Sequence, residues 1–307
     1  MAIPTMNRMV KVYADSAKVE RLKCGRPGVR TVRNTICGVR IFLNWLNARR
    51  VSLGYERIGF DEDFPLVSII KPALIHQYLA DLLGQGIKPV TALSYVNQLR
   101  QLFSKWVRPY YEDRGWKIPQ FPPFGSRPKS PRYQRPSPEL LAKVKTWYRG
   151  LGKRVTADPL WFAATMMLEF AMRNGDIMRL KPANFVNANG RIYLNYTPHK
   201  TEHSSGRIVR WPVHADIWAK LAPDGVLSLP ELDDEVFPEL NRQMRSLGFT
   251  GTKGAYELRK ICVDHVYQKF GAEMAVSISG DDIKTICHYY ADPSQPNIGD
   301  VRVSDFI

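Results

Sequence analysis

Along the C-terminal half of the chain stand Arg173, Lys200, Arg259 and a tyrosine pair, Tyr289-Tyr290, the second lying thirty-one residues past Arg259. A phosphodiester carries one negative charge, which grows on its non-bridging oxygens as a nucleophile approaches. Two planar, always-charged guanidiniums such as Arg173 and Arg259 can clamp those oxygens without a metal. A phenol, with a pKa of about 10, attacks well only where nearby positive charge or a base favours its anion. The departing oxygen needs a proton, and Lys200, in a polar turn, is the candidate donor. Covalent cutting of a phosphodiester by tyrosine requires this set of residue types. Singly, each has a plainer reading: a helix-end arginine makes surface contacts, a turn lysine is solvated, and one of two adjacent tyrosines packs inside. Their joint order and spacing carry the argument.

The elements that hold these residues must come from a chain of 307 residues, a length at which two domains are the natural expectation. Lys and Arg number 44 against 29 Asp and Glu, a formal charge of +15, with a pI near 9.7, so polyanions such as DNA come before membranes as partners. The start, MAIPTMNRMVKVYADSAK, is polar and lacks the apolar stretch of a signal peptide, and no later run reaches membrane-spanning length. The expectation is a soluble protein of the cytoplasm or nucleoid. Cys24, Cys37, Cys262 and Cys287 form no CxxC and are read as packing thiols, Cys287 as a buried one. Neither GLGKRV nor GTKGAY has phosphate-loop spacing, so no ATP and no other cofactor is expected.

Residues 1–30 are rich in Lys and Arg, with Gly25, Pro27 and Gly28 near their end, and read as a basic arm. Residues 31–116 read as a helical domain. Apolar spacing predicts helices over Thr31–Ala48, Lys71–Leu83 and Thr91–Trp106, the last with a polar face carrying Asn97, Arg100, Gln101 and Lys105. Residues 117–136 are a proline-rich linker, where Arg127, Lys129, Arg132 and Arg135 meet no acid and could lie along a phosphate backbone. Residues 137–307 form the domain with the chemistry. Ser137-Pro138-Glu139 opens a helix, Trp161–Met172 reads as a core helix interrupted at Arg173, and residues 191–196 and 207–213 read as strands around the turn with Lys200.

At these residues the chain resembles the tyrosine recombinases of the phage-integrase, Xer and Cre superfamily. FAMRNGDIMRL is similar to the segment with the first arginine, Asp176 standing at its acidic position. YTPHKTEHSSGRIVRWPV is similar to the hairpin with the lysine, YELRKI to the segment with the second arginine, and HYYAD to the nucleophile segment. The resemblance implies a mainly α fold: a helical core-binding domain, then a mostly helical catalytic domain with a small β-sheet. It implies a 3′-phosphotyrosine intermediate, a double-stranded DNA substrate, a tetramer on DNA, and a C-terminal tail, here with Val301, Val303 and Phe306, that packs on a neighbouring subunit, the alternative being that it folds back on its own lobe. The family's usual spacing favours Tyr290 as nucleophile, with Tyr289 as the fallback.

Two positions depart from the pattern. Tyr256 stands three residues before Arg259, where the family usually has histidine, and Asp281 nine residues before Tyr290, where histidine or tryptophan is usual. Tyr256 could hydrogen-bond a phosphate oxygen, and Asp281 or Asp282 could accept the nucleophile's proton, with His288 as a rival base, although a carboxylate beside a phosphate is electrostatically unwelcome. Two other classes stay open. His199-Lys200-Thr201-Glu202-His203 fits H-x-x-E-H, but Pro198 and Ser204-Ser205-Gly206 deny it the helix that would bring both histidines to one zinc ion. A DNA-binding relative without strand cleavage would use the same basic surfaces.

Overall fold

The computed structural model describes residues 6–24, 29–59, 71–104, 108–117, 121, 132–153, 158–199, 202, 207–251 and 253–290. Lys105, Arg127, Lys129, Lys200 and residues 291–307, with the tail positions Val301, Val303 and Phe306, lie outside them. The chain divides into two compact units, residues 1–130 and residues 131–307. No described helix is long and apolar enough to cross a membrane.

The first unit is helical: α1 (Met6–Cys24), α2 (Val29–Ser52), α3 (Pro72–Gly84), α4 (Pro89–Leu102) and the short α5 (Arg108–Glu112). Pro72 and Pro89 occupy first-turn positions, where a missing N–H costs nothing. Val39, Phe42 and Leu46 of α2, Ile75, Tyr78 and Leu82 of α3, and Val96 and Leu99 of α4 recur at helical spacing and close one core. Trp45 Nε1 donates to Asp81 across it at 2.9 Å. The expected arm is not seen at residues 6–24. Met9, Val10, Tyr13 and Ala17 make a buried stripe of α1 in this core, and the basic residues that dominate the composition sit on its other faces. The predicted face of α4 leaves Arg100 and Gln101 exposed.

The second unit runs α6 (Pro138–Leu151), α7 (Pro159–Leu168), α8 (Asn174–Ile177), β1 (Phe185–Ala188), β2 (Arg191–Tyr196), β3 (Val209–Pro212), α9 (Ala215–Leu221), α10 (Val236–Leu247), α11 (Gly254–Ser279) and α12 (Ile283–Tyr290). Ser137 caps α6 by accepting from Leu140 N–H at 3.2 Å, and Asp158 caps α7 by accepting from Trp161 N–H at 2.8 Å. The strands form an antiparallel sheet in the order β1-β2-β3, with Leu194 of β2 opposite Phe185 and Trp211. β1 was not expected; its exposed Val186 and Asn187 give it no apolar alternation to read. Trp161, Phe162, Met166 and Met167 of α7, Leu240 and Met244 of α10 and Leu258 of α11 fill the core. A smaller cluster of Cys262, Val263, Val266, Val276 and Ile286 lies beneath the C-terminal helix.

Two details prepare the site. The predicted core helix over Trp161–Met172 ends at Leu168, and Ala171 takes a positive φ of 50°, which turns the chain so that Arg173 precedes α8 instead of continuing α7. α11 is kinked at Gly271, whose φ of 82° and ψ of −179° no helix tolerates, and it stops at the left-handed Gly280.

Candidate active site

Arg173 caps α8 in an extended conformation, and Asp176 follows one turn later. Asp176 accepts the backbone N–H of His199 at 2.9 Å, fastening the root of the β2–β3 turn to the arginine. Its second oxygen faces Arg173 Nη1 at 3.9 Å, beyond hydrogen-bond length, and both atoms are buried without a hydrogen-bond partner among the described residues.

Arg259 comes from the second turn of α11 and is almost wholly buried, its guanidinium donating to the carbonyls of Ala171 and Ser279, the latter at 3.1 Å. Burial opposes its charge, but the neighbouring Asp281, Tyr256 and Tyr196 outweigh it, and the guanidinium pKa is raised. The guanidinium also lies 5.8 Å from the centre of the Tyr256 ring, within cation–π range.

Asp281 joins the two arginines. Its Oδ1 accepts from Arg173 and its Oδ2 from Arg259 Nη2 at 2.5 Å, so one carboxylate holds both guanidiniums. The corner beneath it is tightly built: a Cβ on Gly280 would meet Pro198 Cγ at 2.7 Å. The hairpin root, the Arg173 turn and the Asp281 corner therefore touch in one place.

Tyr290 closes α12, one turn after the buried Ile286 and on the same face. Its ring packs between Tyr133, edge-on at 5.4 Å, and Tyr267 at 6.4 Å. Burial pushes its phenol pKa above the ordinary value of 10; Arg259 pulls it back, and Tyr256 and Asp281 add to the rise.

Two participants went unforeseen. Tyr196, the last residue of β2, has a buried hydroxyl without a hydrogen-bond partner among the described residues. Burial raises its pKa, and the charges of Arg259, Asp176, Arg173 and Asp281 all act on it, so the hydroxyl faces the cluster. Its place four residues before Lys200 was the available signal. Tyr133, in the stretch read only as a basic linker, donates its N–H to the carbonyl of Tyr289 at 3.1 Å, and Lys260 Nζ stands 5.6 Å from its ring centre.

Beside α12 opens a cavity of about 490 Å3 lined by Arg132, Arg135, Lys260, Tyr289 and Tyr290. Arg135 pairs with Asp264 at 3.0 Å. Cys287, read as buried, is exposed, because Ile286 takes the inward position of that turn; Cys262 is the buried thiol, its pKa pushed up to about 12 by burial. Of the H-x-x-E-H pattern, His199 Nδ1 lies 3.2 Å from Glu202, while Lys200, Thr201 and His203 are outside the described residues.

No protein-family model matches the chain, and no curated protein does. Solved structures do. The Tn1549 transposon integrase in complex with transposon right end DNA aligns with a TM-score of 0.62 at 13% identity, over 92% of this chain and 95% of that one. The XerH site-specific recombinase bound to its difH substrate in a pre-cleavage complex gives 0.59 at 14% identity, over 97% and 83%. A lambda integrase dimer bound to a core site gives 0.58 at 14% identity, over 98% and 100%. With its helical first unit and its helices around a three-stranded sheet in the second, this chain has the fold of the tyrosine recombinases.

Proposed function

We propose that the protein is a site-specific DNA recombinase or integrase that cuts and rejoins strands through a 3′-phosphotyrosine at Tyr290. The observation that carries this reading is the convergence of Arg173 and Arg259 on one anionic group, with the Tyr290 phenol under the influence of Arg259. In the reaction the Tyr290 oxygen forms a bond to phosphorus as its proton passes to solvent water. The bond from phosphorus to the 5′-oxygen breaks, and that oxygen takes a proton, with Lys200 as the donor. The two guanidiniums hold the charge that grows on the non-bridging oxygens, and Tyr256 supports Arg259 from its ring side. A 5′-hydroxyl from another strand then reverses the step, so rejoining needs no ATP. Arg100, Lys105, Arg127, Lys129, Arg132 and Arg135 contact phosphates, and the active assembly is a tetramer on DNA. DNA-bound XerH and a lambda integrase tetramer bound to a Holliday junction support that part of the reading.

A second reading, a relative that binds DNA without cutting it, draws on the same carboxylate: Asp281 occupies the clamp with a charge of the phosphate's own sign. Nicked suicide duplexes tiled across the DNA that flanks the gene separate the two. A denaturation-resistant adduct that Tyr290→Phe abolishes and Tyr289→Phe retains is the expected result. DNA binding with no adduct on any duplex selects the second reading, and loss with Tyr289→Phe alone moves the nucleophile by one residue.

A further inference from the structure

The described charges of the site already balance: Arg173 and Arg259 against Asp176 and Asp281. A phosphodiester arriving there would make the cluster net negative if both carboxylates stayed, and two anions cannot share the same two guanidinium edges. Asp176 is buried and tied to the hairpin root by His199 N–H. Asp281 is the more open of the two, its side chain 21% exposed against 5% for Asp176.

Not every donor near Asp281 is bonded to it. Its two oxygens each serve one arginine, while Arg173 Nη1 and the Tyr196 hydroxyl are buried nearby without a hydrogen-bond partner among the described residues. A phosphodiester brings four oxygens to the same place and can engage groups that the carboxylate leaves over. Arg259 is fixed from behind by the carbonyls of Ala171 and Ser279, so the clamp keeps its shape when its occupant changes.

We propose that Asp281 is the resident anion of the arginine clamp, and that a DNA phosphodiester binds by replacing it, the carboxylate turning outward on the Gly280 corner. The proposal rests on the strand-cleavage reading only in naming DNA as the source of the phosphate. It gives Asp281 a positioning role: in the absence of DNA it keeps the buried Arg259 and the partly exposed Arg173 paired and aligned. It also ties occupancy of the clamp to the nucleophile, since Asp281 lies two residues before α12, which ends at Tyr290.

Inorganic phosphate is the probe, titrated by calorimetry against the full-length protein at constant ionic strength. Asp281→Asn keeps the shape and removes the competing charge, and it should bind phosphate at least tenfold more tightly than wild type. Asp282→Asn, which makes the same charge change one residue away, should bind as wild type does. Equal affinity of Asp281→Asn and wild type overturns the proposal, as does an equal gain in Asp282→Asn. Should Asp281→Asn not fold, amide exchange of wild type decides: the Asp281 N–H, held by Ser279 Oγ at 3.1 Å, should exchange faster under saturating phosphate, and unchanged exchange overturns the proposal. None of these readouts uses cleavage. Tighter phosphate binding by Asp281→Asn with no adduct on any DNA sinks strand cleavage and leaves the resident anion standing; an adduct without the phosphate gain does the reverse.

Discussion

Asp176 accepts the main-chain N–H of His199 at 2.9 Å, so the residue that follows the first arginine by one turn also fixes the backbone next to Lys200. A buried carboxylate on a backbone N–H is a charge-assisted bond of about 1.5–3 kcal/mol. Asp176→Ala should lower the unfolding free energy by about 2 kcal/mol and slow adduct formation by about tenfold or more. Asp176→Asn, which retains an acceptor oxygen, should recover most of the stability. Urea unfolding and single-turnover adduct assays check both; equal behaviour of the two variants would show that the hydrogen bond does not matter.

The two arginines should fail differently. Arg259→Ala strips partners from the Ala171 and Ser279 carbonyls in a buried place and should cost about 3–5 kcal/mol, enough to threaten folding. Arg173, with its side chain 16% exposed, stands at the edge of the site, and Arg173→Ala should cost about 1–2 kcal/mol while still abolishing the adduct. Denaturant midpoints of the two variants give the comparison, and similar losses would contradict it.

Gly280→Ala adds one methyl group where the backbone has φ 64° and Pro198 lies 2.7 Å from the new carbon. Strain of about 1–2 kcal/mol is expected. Because Pro198 leads into the Lys200 turn, cleavage should fall by more than the stability loss explains. Adduct rate measured well below the melting temperature tests this, and a wild-type rate would show that the corner tolerates movement.

Alkaline pH should destabilise the fold. Burial raises the phenol pKa values of Tyr148, Tyr196 and Tyr290 above the ordinary value of 10. Above pH 10 the unfolded chain releases these protons while the folded chain keeps them, so the stability fully present below pH 10 is lost as pH rises, by at most about 1.4 kcal/mol per pH unit for each tyrosine. Urea midpoints at pH 9 and pH 11 should differ accordingly, and the absorbance of ionised tyrosine should rise in step with unfolding. Equal midpoints at the two pH values would mean that these hydroxyls are solvated.

Much of the fold was legible because its helices and caps lie on strongly patterned segments. The apolar stripes of α2, α3 and α4 declare themselves, and Ser137-Pro138 marks the start of α6, whereas the helices that Arg173 precedes and Tyr290 closes carried no such signal. What the sequence hid were relations across distance. Nothing local tells that Asp281 will span Arg173 and Arg259, since that depends on α11 delivering Gly280 against Pro198. Tyr196 reads as one of several strand tyrosines until the Ala171 turn brings the arginines beside it. At the N-terminus the density of Lys and Arg concealed the stripe of Met9, Tyr13 and Ala17, a case in which composition outweighed periodicity.

The bond from Tyr133 N–H to the Tyr289 carbonyl joins the beginning of the second unit to the last turn of its last described helix. Contacts between chain segments so far apart carry the largest loop-closure cost, and they form once the intervening structure has shortened the effective loop. Seating of Tyr290 against Tyr133 is thus expected late in assembly, so that a chain caught halfway through folding would carry this tyrosine without its two aromatic neighbours.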